Sequence, residues 1–138
     1  MKQKIEEILQ DKNIAPTAMR ILVLDFLIDQ QVAISLTDME LAMGKTDRVT
    51  LYRTLKTFEE NGLVHRIEDG SGSTKFALCE ADCSIDGHQD LHVHFYCTKC
   101  KETHCLPKVF VPEVSLPASY IAQERQLVIK GICSNCLR

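Results

Sequence analysis

The sequence predicts an α+β fold in two small parts, an N-terminal winged helix-turn-helix domain and a small C-terminal α/β domain. Three observations support this prediction. Helical apolar periodicity runs through the first half of the chain and is followed by the pattern of a hairpin. All five histidines and all seven cysteines lie from His65 onward, so the two halves differ in chemistry. Four of the cysteines form two C-x-x-C pairs, at Cys97/Cys100 and Cys133/Cys136.

The composition is that of an ordinary globular protein. The 138 residues are enough for one domain or two small ones, and 45% are hydrophobic while 25% are charged. No apolar run is long enough to span a bilayer, and the charged start MKQKIEEILQ is not the pattern of a signal peptide. We therefore expect a cytoplasmic protein with no membrane partner, in which seven cysteines indicate metal or thiol chemistry. The net charge of −3 means that any DNA contact needs a local basic surface.

Local signals predict the elements of the first domain, which we place at residues 1–78. Four helices are expected, each from an apolar stripe or a cap: around Ile5, Ile8 and Leu9, after Thr17, after Ser35, and over 47–61. The apolar run 21–28 should make the second helix central to the core. Gly62 is placed to end the fourth helix. Strands at 63–68 and 74–78 around the turn 69–72 complete the wing.

The second domain is placed at residues 91–138, after a polar hinge at 79–90. Alternating patterns predict strands at 91–96, 103–106 and 126–132. Three prolines, at 107, 112 and 117, interrupt the segment between the last two strands. A helix is expected near 117–125.

Two C-x-x-C pairs in one small domain predict a closed structural zinc site. Zn²⁺ is commonly held in a tetrahedron by four thiolates, and each C-x-x-C turn presents two sulfurs to one metal. The ligands would be Cys97, Cys100, Cys133 and Cys136. The alternative is a pair of dithiols or disulfides without metal, which nothing else in the chain favours.

A second group of ligand-type residues surrounds the sequence His92-Val93-His94. Alternation along a strand places both imidazoles on one face, and this pair needs further ligands to complete a site. The candidates are His65, Cys79, Cys83, His88, His104 and Cys105. Each has an ordinary structural alternative, as a surface histidine or a small buried cysteine. A thiolate with two or three imidazoles favours zinc over harder metals.

The fourth helix is predicted to have one apolar and one polar face. Leu51, Leu55 and Phe58 should pack inward. The other surface carries side chains suited to phosphates and base edges, namely Arg48, Thr50, Tyr52, Arg53 and Lys56. Alone, this pattern would be better explained as a solvated charged face. The short helix before it and the hairpin after it favour double-stranded DNA as its partner.

Three stretches of the chain, in this order, resemble the ferric uptake regulator family of bacterial metal-dependent repressors. They are Ala15–Arg20, Arg48–Leu55 and His92–Cys100, which are similar to the family segments T-x-x-R, T-V-Y-R-x-L and H-x-H-x-x-C-x-x-C. The resemblance covers nearly the whole chain. It implies a winged helix, a hinge and a C-terminal dimerisation domain. It also implies a homodimer that binds palindromic operator DNA when loaded with metal.

The resemblance further implies roles for single residues. Tyr52 and Arg53 fall where the family contacts DNA, and Arg20 falls where a family arginine approaches the minor groove or phosphates. The four C-x-x-C cysteines fall on the structural zinc site. Zinc-uptake regulators of the family use a four-coordinate hinge site, whose positions are occupied here by His65, Cys79, His92 and His94. Cys105 stands where other members place a carboxylate ligand, so it could join that site or replace His65 in it. Cys83 is a further possible ligand.

We therefore expect a metal-dependent repressor that senses zinc and controls zinc-uptake genes, with two Zn²⁺ per chain. The family's iron and peroxide sensors use a histidine from the DNA-binding half, and no histidine precedes His65 here. An iron- or peroxide-responsive repressor, in which the cysteines oxidise, is the alternative. We do not expect an enzyme or a small organic substrate, because the H-x-E and P-C-x-x-C motifs of zinc deaminases are absent.

Overall fold

The structure is a computed structural model of the chain, and it describes residues 2–30, 32–44, 46–78, 92–110, 112–123 and 126–137. Within these ranges it contains four helices and six strands. In chain order they are α1 (Lys2–Asp11), α2 (Ala18–Asp29), β1 (Ile34–Ser35), α3 (Leu36–Met43), α4 (Arg48–Glu60), β2 (Val64–Glu68), β3 (Thr74–Leu78), β4 (His92–Cys97), β5 (Thr103–Phe110) and β6 (Leu127–Gly131). The predicted fold class, a helical half with a wing followed by a smaller second half, is confirmed.

The helices of the first half begin where the sequence places their caps. In each case a side-chain oxygen accepts a backbone N–H from the first turn: Thr17 from Arg20 at 3.3 Å, Ser35 from Asp38 at 3.1 Å, and Asp47 from Thr50 at 3.1 Å. Helix α4 ends at Asn61, and the next residue, Gly62, has a φ of +76°. That backbone conformation suits glycine, which explains why the chain turns there into β2.

One hydrophobic core joins the four helices to the wing. Its fully buried members include Leu9, Val23, Leu24, Met39, Leu51, Leu55, Phe58 and Val64. Helix α2 contacts α1, α4 and β3, so it is central as predicted. Two apolar residues of its run 21–28 lie outside the core, since Leu22 and Ile28 are 54% and 38% exposed. They share the outer side of α2 with Asp25 and Asp29, because a helix with a period of 3.6 residues turns only part of its surface to one core.

The wing is a three-stranded antiparallel sheet in the order β1-β3-β2. Strands β2 and β3 pair from Val64 opposite Leu78 to Glu68 opposite Thr74, as the sequence predicts. Strand β1 was not predicted, since two residues show no periodicity. It exists because Ile34 pairs with Phe76 on the free side of β3. The wing is therefore attached to the residues that lead into α3.

The second sheet has the order β5-β4-β6, with β4 antiparallel to β5 and parallel to β6. Strand β5 runs through Pro107 and ends later than predicted, which an edge strand tolerates. The helix expected near 117–125 is wrong over the described residues 117–123. The chain makes a turn there, in which the Tyr120 N–H donates to the Pro117 carbonyl at 3.0 Å. Every side chain of 112–123 is exposed, so a helix would have no surface to pack on within this chain.

The two halves touch through the wing. The Ala33 N–H donates to the Thr103 carbonyl at 2.9 Å and makes an isolated antiparallel bridge between them. The side-chain amide of Gln126 pairs with the edge of β2, donating to the Arg66 carbonyl at 2.8 Å and accepting the Glu68 N–H at 3.1 Å. These contacts join the residue before β1 to β5, and β2 to the residue before β6. Residues 79–91, which include the predicted hinge, lie outside the described residues, and the domain boundaries stay a prediction.

Candidate metal centres and nucleic-acid interface

The two C-x-x-C pairs lie side by side at one end of the second sheet. Strand β4 ends at Cys97, opposite Gly131 at the end of β6. Because these strands are parallel, the turns that follow them leave the sheet at the same edge. Cys100 lies in the first turn, and Cys133 and Cys136 lie in the second. The four sulfur atoms all lie within 4.8 Å of one another.

The geometry of this cysteine cluster fits a tetrahedral metal. Metal–sulfur bonds of about 2.3 Å in a tetrahedron separate the sulfurs by about 3.8 Å. The Sγ atoms of Cys100 and Cys133 are 3.9 Å apart. The Sγ atom of Cys97 also accepts the backbone N–H groups of Cys100 and Cys133, each at 3.4 Å. Such bonds hold a sulfur in place for a metal and stabilise its charged form.

The pKa values of the cluster show why a cation belongs in it. The backbone N–H groups of Cys100 and Cys133 lower the pKa of the Cys97 thiol to about 5, so Cys97 is a thiolate at neutral pH. The neighbouring Cys133 sulfur, followed by burial, raises the pKa of Cys136 to about 12. Four crowded thiolates repel one another, and a divalent cation among them is what stabilises all four in the metal-binding form.

A second cluster lies where the two halves meet. His65 on β2, His94 on β4 and Cys105 on β5 each present one ligand atom, and the three atoms lie within 4.8 Å of one another. The imidazoles of His65 and His94 are buried, with 4% and 0% exposure. Their ring centroids are 5.2 Å apart and their planes are inclined by 79°. We call these three residues the interdomain cluster. It is a set of two nitrogens and one sulfur that draws on both halves of the chain.

The predicted sensory residues are only partly placed by the structure. His65 and His94 are brought together, and Cys105, which the sequence suggested as a substitute ligand, joins them. Cys79, Cys83 and His88 lie outside the described residues, as does the imidazole of His92. The pairing of β4 with β5 is irregular between His92 and Val93, so the alternation assumed for His92 and His94 is interrupted there. The role of each residue as a metal ligand stays a prediction.

The polar face of α4 is exposed, as a DNA-reading surface requires. Arg48, Tyr52 and Lys56 recur every four residues and share one side of the helix, with Arg53 beside them. The Tyr52 residue is 42% exposed. Thr50 has a structural task instead, since its hydroxyl donates to the Asp47 carboxylate at 3.1 Å within the helix cap.

The other predicted DNA contacts are held by short-range bonds. The Arg48 guanidinium donates to the Thr37 hydroxyl at 3.2 Å and lies 3.5 Å from the Glu40 carboxylate, which ties the start of α4 to α3. The Arg20 guanidinium donates to the Ala15 carbonyl at 2.9 Å, so it supports the segment before α2. Neither bond buries its arginine, and both side chains stay partly accessible to a phosphate.

Sequence reasoning missed one basic residue beside this surface. Arg66, on β2, lines a cleft of about 420 Å³ together with Arg48 and Tyr52. Its guanidinium lies over the Phe76 ring, with the central carbon 5.9 Å from the ring centroid. A lone arginine on a strand carries no periodic signal. Only the folding of the wing against α4 brings it to this face.

Comparison with known proteins fits this arrangement. Residues 16–131 match the model of the ferric uptake regulator family. The chain belongs to this family. Proteins of the family are DNA-binding transcription regulators rather than enzymes, and their members are dimeric. The protein is thus a metalloregulator of this family.

Individual relatives are distant but cover nearly the full chain. The peroxide operon regulator of Bacillus subtilis (strain 168) is 25% identical in an alignment of 138 positions, which covers 94% of this chain and 89% of that protein. A solved zinc uptake regulator complexed with zinc and DNA has a TM-score of 0.67 at 22% identity, covering 99% of this chain and 92% of that one. Holo XcZur has a TM-score of 0.68 at 17% identity, covering 99% and 96%.

A ferric uptake regulator from Vibrio cholerae is also similar, with a TM-score of 0.58 at 20% identity over 93% of this chain and 98% of that one. At these identities, the likeness to the solved structures establishes the fold that this metalloregulator shares with them. In the part of the chain that the structure describes, no helix has the length and apolar character needed to cross a membrane.

Proposed function

We propose that this metalloregulator is a zinc-sensing repressor, and that zinc bound at the interdomain cluster gates its binding to the operators of zinc-uptake genes. The observation that carries the proposal is the meeting of His65, His94 and Cys105 at one point. His65 belongs to the wing, while the other two belong to the second sheet. A metal held by all three would fasten the DNA-binding half to the dimerisation half.

The donor set supports zinc as the sensed metal. Two imidazoles and a thiolate are borderline-soft ligands that suit a tetrahedral Zn²⁺, whereas harder metals favour carboxylate oxygens and six ligands. No carboxylate joins this group among the described residues. The sequence predicts Cys79 and His92 as the further ligands of this site. The cysteine cluster would hold a second, structural Zn²⁺, which makes two per chain.

Gating follows from the position of the site. In a homodimer on palindromic DNA, the two α4 helices must enter successive major grooves about 34 Å apart. An ion that joins β2 to β4 and β5 favours one orientation of α4 relative to the dimer interface. Zinc can shift the equilibrium only by its preference for the closed form, and coupling of about 1–3 kcal/mol is typical of such systems. Higher zinc then means tighter repression.

The surface of the second half supports the homodimer. Val114, Leu116, Tyr120 and Ile121 are between 49% and 89% exposed in the single chain. Large apolar side chains grouped in this way are costly in water and favour burial against another protein surface. A second copy of the chain would cover them.

Zinc-dependent binding to operator DNA tests the proposal. We would titrate buffered free zinc into the protein and follow its binding to labelled promoter fragments of zinc-uptake genes. His65→Ala and Cys105→Ser should lose zinc-dependent binding and remain folded dimers. His104→Ala is the matched control, because His104 neighbours Cys105 on β5 but is not part of the cluster. Full zinc-dependent binding by His65→Ala would show the assignment to be wrong.

The alternative is an iron- or peroxide-responsive repressor, which the likeness to the peroxide operon regulator favours. X-ray absorption on the purified protein separates the two. Two zincs, one with four sulfurs and one with mixed nitrogen and sulfur ligands, support zinc sensing. One zinc with a six-coordinate nitrogen/oxygen iron site, or loss of operator binding after mild peroxide, supports the alternative.

A further inference from the structure

We propose that Asp69, Lys75 and Thr103 form an interdomain latch that sets the zinc concentration at which the protein binds its operator. These three are positioning residues, since none of them belongs to either metal cluster or to the exposed face of α4. The inference rests on the proposed function and adds to it a buried, charged attachment between the wing and the second half.

The latch is a complete set of polar contacts around one ammonium group. The Lys75 amine, from β3, lies 2.9 Å from the Asp69 carboxylate and donates to the Thr103 hydroxyl at 2.9 Å and to the Lys101 carbonyl at 3.0 Å. A lysine has three N–H donors, so all are used. The Thr103 hydroxyl in turn donates to the Asp69 carboxylate. Asp69 and Lys75 come from the wing, while Lys101 and Thr103 come from the second half.

Burial makes this arrangement specific to the closed protein. Asp69, Lys75 and Thr103 are 1%, 8% and 0% exposed. The Lys75 amine also lies 5.0 Å from the centroid of the Tyr96 ring, again in the second half. Buried charges are stable only when their partners are in place. If the wing swung away, Lys75 would lose Thr103, Lys101 and Tyr96 together and would be solvated with Asp69.

The latch and the interdomain cluster meet on β5, where Thr103 and Cys105 are two residues apart. His94 is opposite Cys105 on β4 and β5, and Tyr96 is opposite Thr103 one step further along. Residues two apart on a strand share a face and are about 7 Å apart. A single metal centre would leave the wing able to pivot about it. The latch, about 7 Å away, restricts that rotation together with the Gln126 contacts to β2, so it helps to define the orientation that zinc selects.

The same linkage predicts a measurable consequence. If zinc binds the closed form, any contact that favours closure also raises the apparent zinc affinity, because less zinc is needed to populate that form. A buried hydrogen bond to a charged group changes such an equilibrium about tenfold or more. Loss of the Thr103 hydroxyl should therefore raise the zinc concentration for half-maximal operator binding about tenfold, while saturating zinc restores full binding.

Three variants test the latch. Thr103→Val removes the hydroxyl at nearly constant volume, and Thr103→Ser keeps it. Thr98→Val is the matched control, because the Thr98 hydroxyl donates to the Gly131 carbonyl inside the second half, at 3.3 Å. We expect the zinc midpoint of operator binding to shift about tenfold in Thr103→Val and to stay at the wild-type value in the other two. An unshifted Thr103→Val, or an equal shift in Thr103→Ser, would overturn the latch.

Hydrogen exchange of the zinc-loaded protein without DNA gives an independent reading. The Ala33 N–H donates to the Thr103 carbonyl across the halves, and this bond is kept in both Thr103 variants. Its exchange should be about tenfold faster in Thr103→Val alone, while the core amide of Leu55 stays protected and shows that the variant is folded. Unchanged Ala33 exchange overturns the latch. A wild-type protein with no zinc-dependent operator binding overturns the proposed function. Faster exchange of the Ala33 amide in Thr103→Val would then still show that the latch exists, so failure of the function and failure of the latch are distinguishable.

Discussion

His94 and Cys105 face each other across the antiparallel strands β4 and β5, and the imidazole of His65 meets them from the wing. Directly opposite residues of an antiparallel pair have their Cβ atoms about 4.5–5.5 Å apart, which is close enough for both side chains to bind one metal ion. A cysteine sulfur is therefore one of the three ligand atoms of the proposed sensory site. A sulfur ligand favours softer metals than an oxygen ligand does, so replacing Cys105 tests the metal preference of the site.

Replacing the thiolate by a carboxylate should change which metal the site prefers. We expect Cys105→Asp to weaken zinc binding at the interdomain cluster and to strengthen binding of Mn²⁺ relative to zinc, because oxygen ligands suit harder cations. Competition titrations with the two metals, followed by operator binding, measure the change. Cys105→Ser serves as the comparison, since it removes the sulfur without adding a charge. An unchanged ratio of zinc to manganese affinity would show that Cys105 is not a ligand.

Local signals explain how much of the fold was predictable. Helix α4 and the hairpin β2–β3 lie within a residue of their predicted bounds, because Asp47, Gly62 and the turn 69–72 act on their own neighbours. Strand β1 was missed and the helix near 117–125 was wrong. Whether the chain forms a strand or a helix at these two places depends on packing partners rather than on local sequence.

The candidate sites also differ in how far the sequence alone predicts them. The cysteine cluster follows from spacing alone, since each C-x-x-C turn carries half of it. The meeting of His65 with Cys105 depends on how the wing packs on the second sheet, and spacing could only name them as candidates. Lys75 and Thr103 carry no motif at all. Their contact arises only once the wing packs against the second half.

The two metal clusters should release zinc in a fixed order. Four thiolates bind Zn²⁺ with an apparent free energy of about 10–16 kcal/mol, and removal of that ion unfolds the region around it. We expect a chelator to abolish operator binding first, with little change in circular dichroism, and to unfold the second half only at higher concentration. Cys97→Ser lacks one ligand of the cysteine cluster, so its second half should be unfolded even before chelator is added. Loss of operator binding and of the fold at the same chelator concentration would contradict the proposal of two independent metal sites.

The exposed face of α4 makes a prediction about salt. Lys56 is exposed one turn beyond Tyr52, so we expect it to contact a phosphate. Lys56→Ala should weaken binding to all DNA sequences alike and reduce the slope of log K against log salt by about 1. Lys130→Ala, which removes an exposed lysine from β6, is the control and should leave the slope unchanged. Tyr52→Ala should instead weaken binding to the operator more than to unrelated DNA.

Asp69 should give the latch a signature at acid pH. Burial alone would raise its pKa, but hydrogen bonds from Ser71, Thr103 and Lys75 outweigh it and lower the pKa from 3.8 to about 2. A carboxyl whose pKa is lower in the folded state contributes stability above its unfolded pKa, and this contribution is lost as pH falls from about 4 to about 2. Asp69→Asn has no carboxyl group to protonate at this position, so it should not show this loss of stability at acid pH.

Urea unfolding of both proteins between pH 6 and pH 2 measures the effect. We expect the wild-type protein to be the more stable above pH 4, and its advantage to shrink steadily as pH falls toward 2. Because loss of zinc from the cysteine cluster would unfold the second half, the two proteins are compared only at pH values where their measured zinc content is equal and that half is still folded. A constant difference across the range would mean that the Asp69 carboxylate does not gain its stability from the charged contacts of the latch.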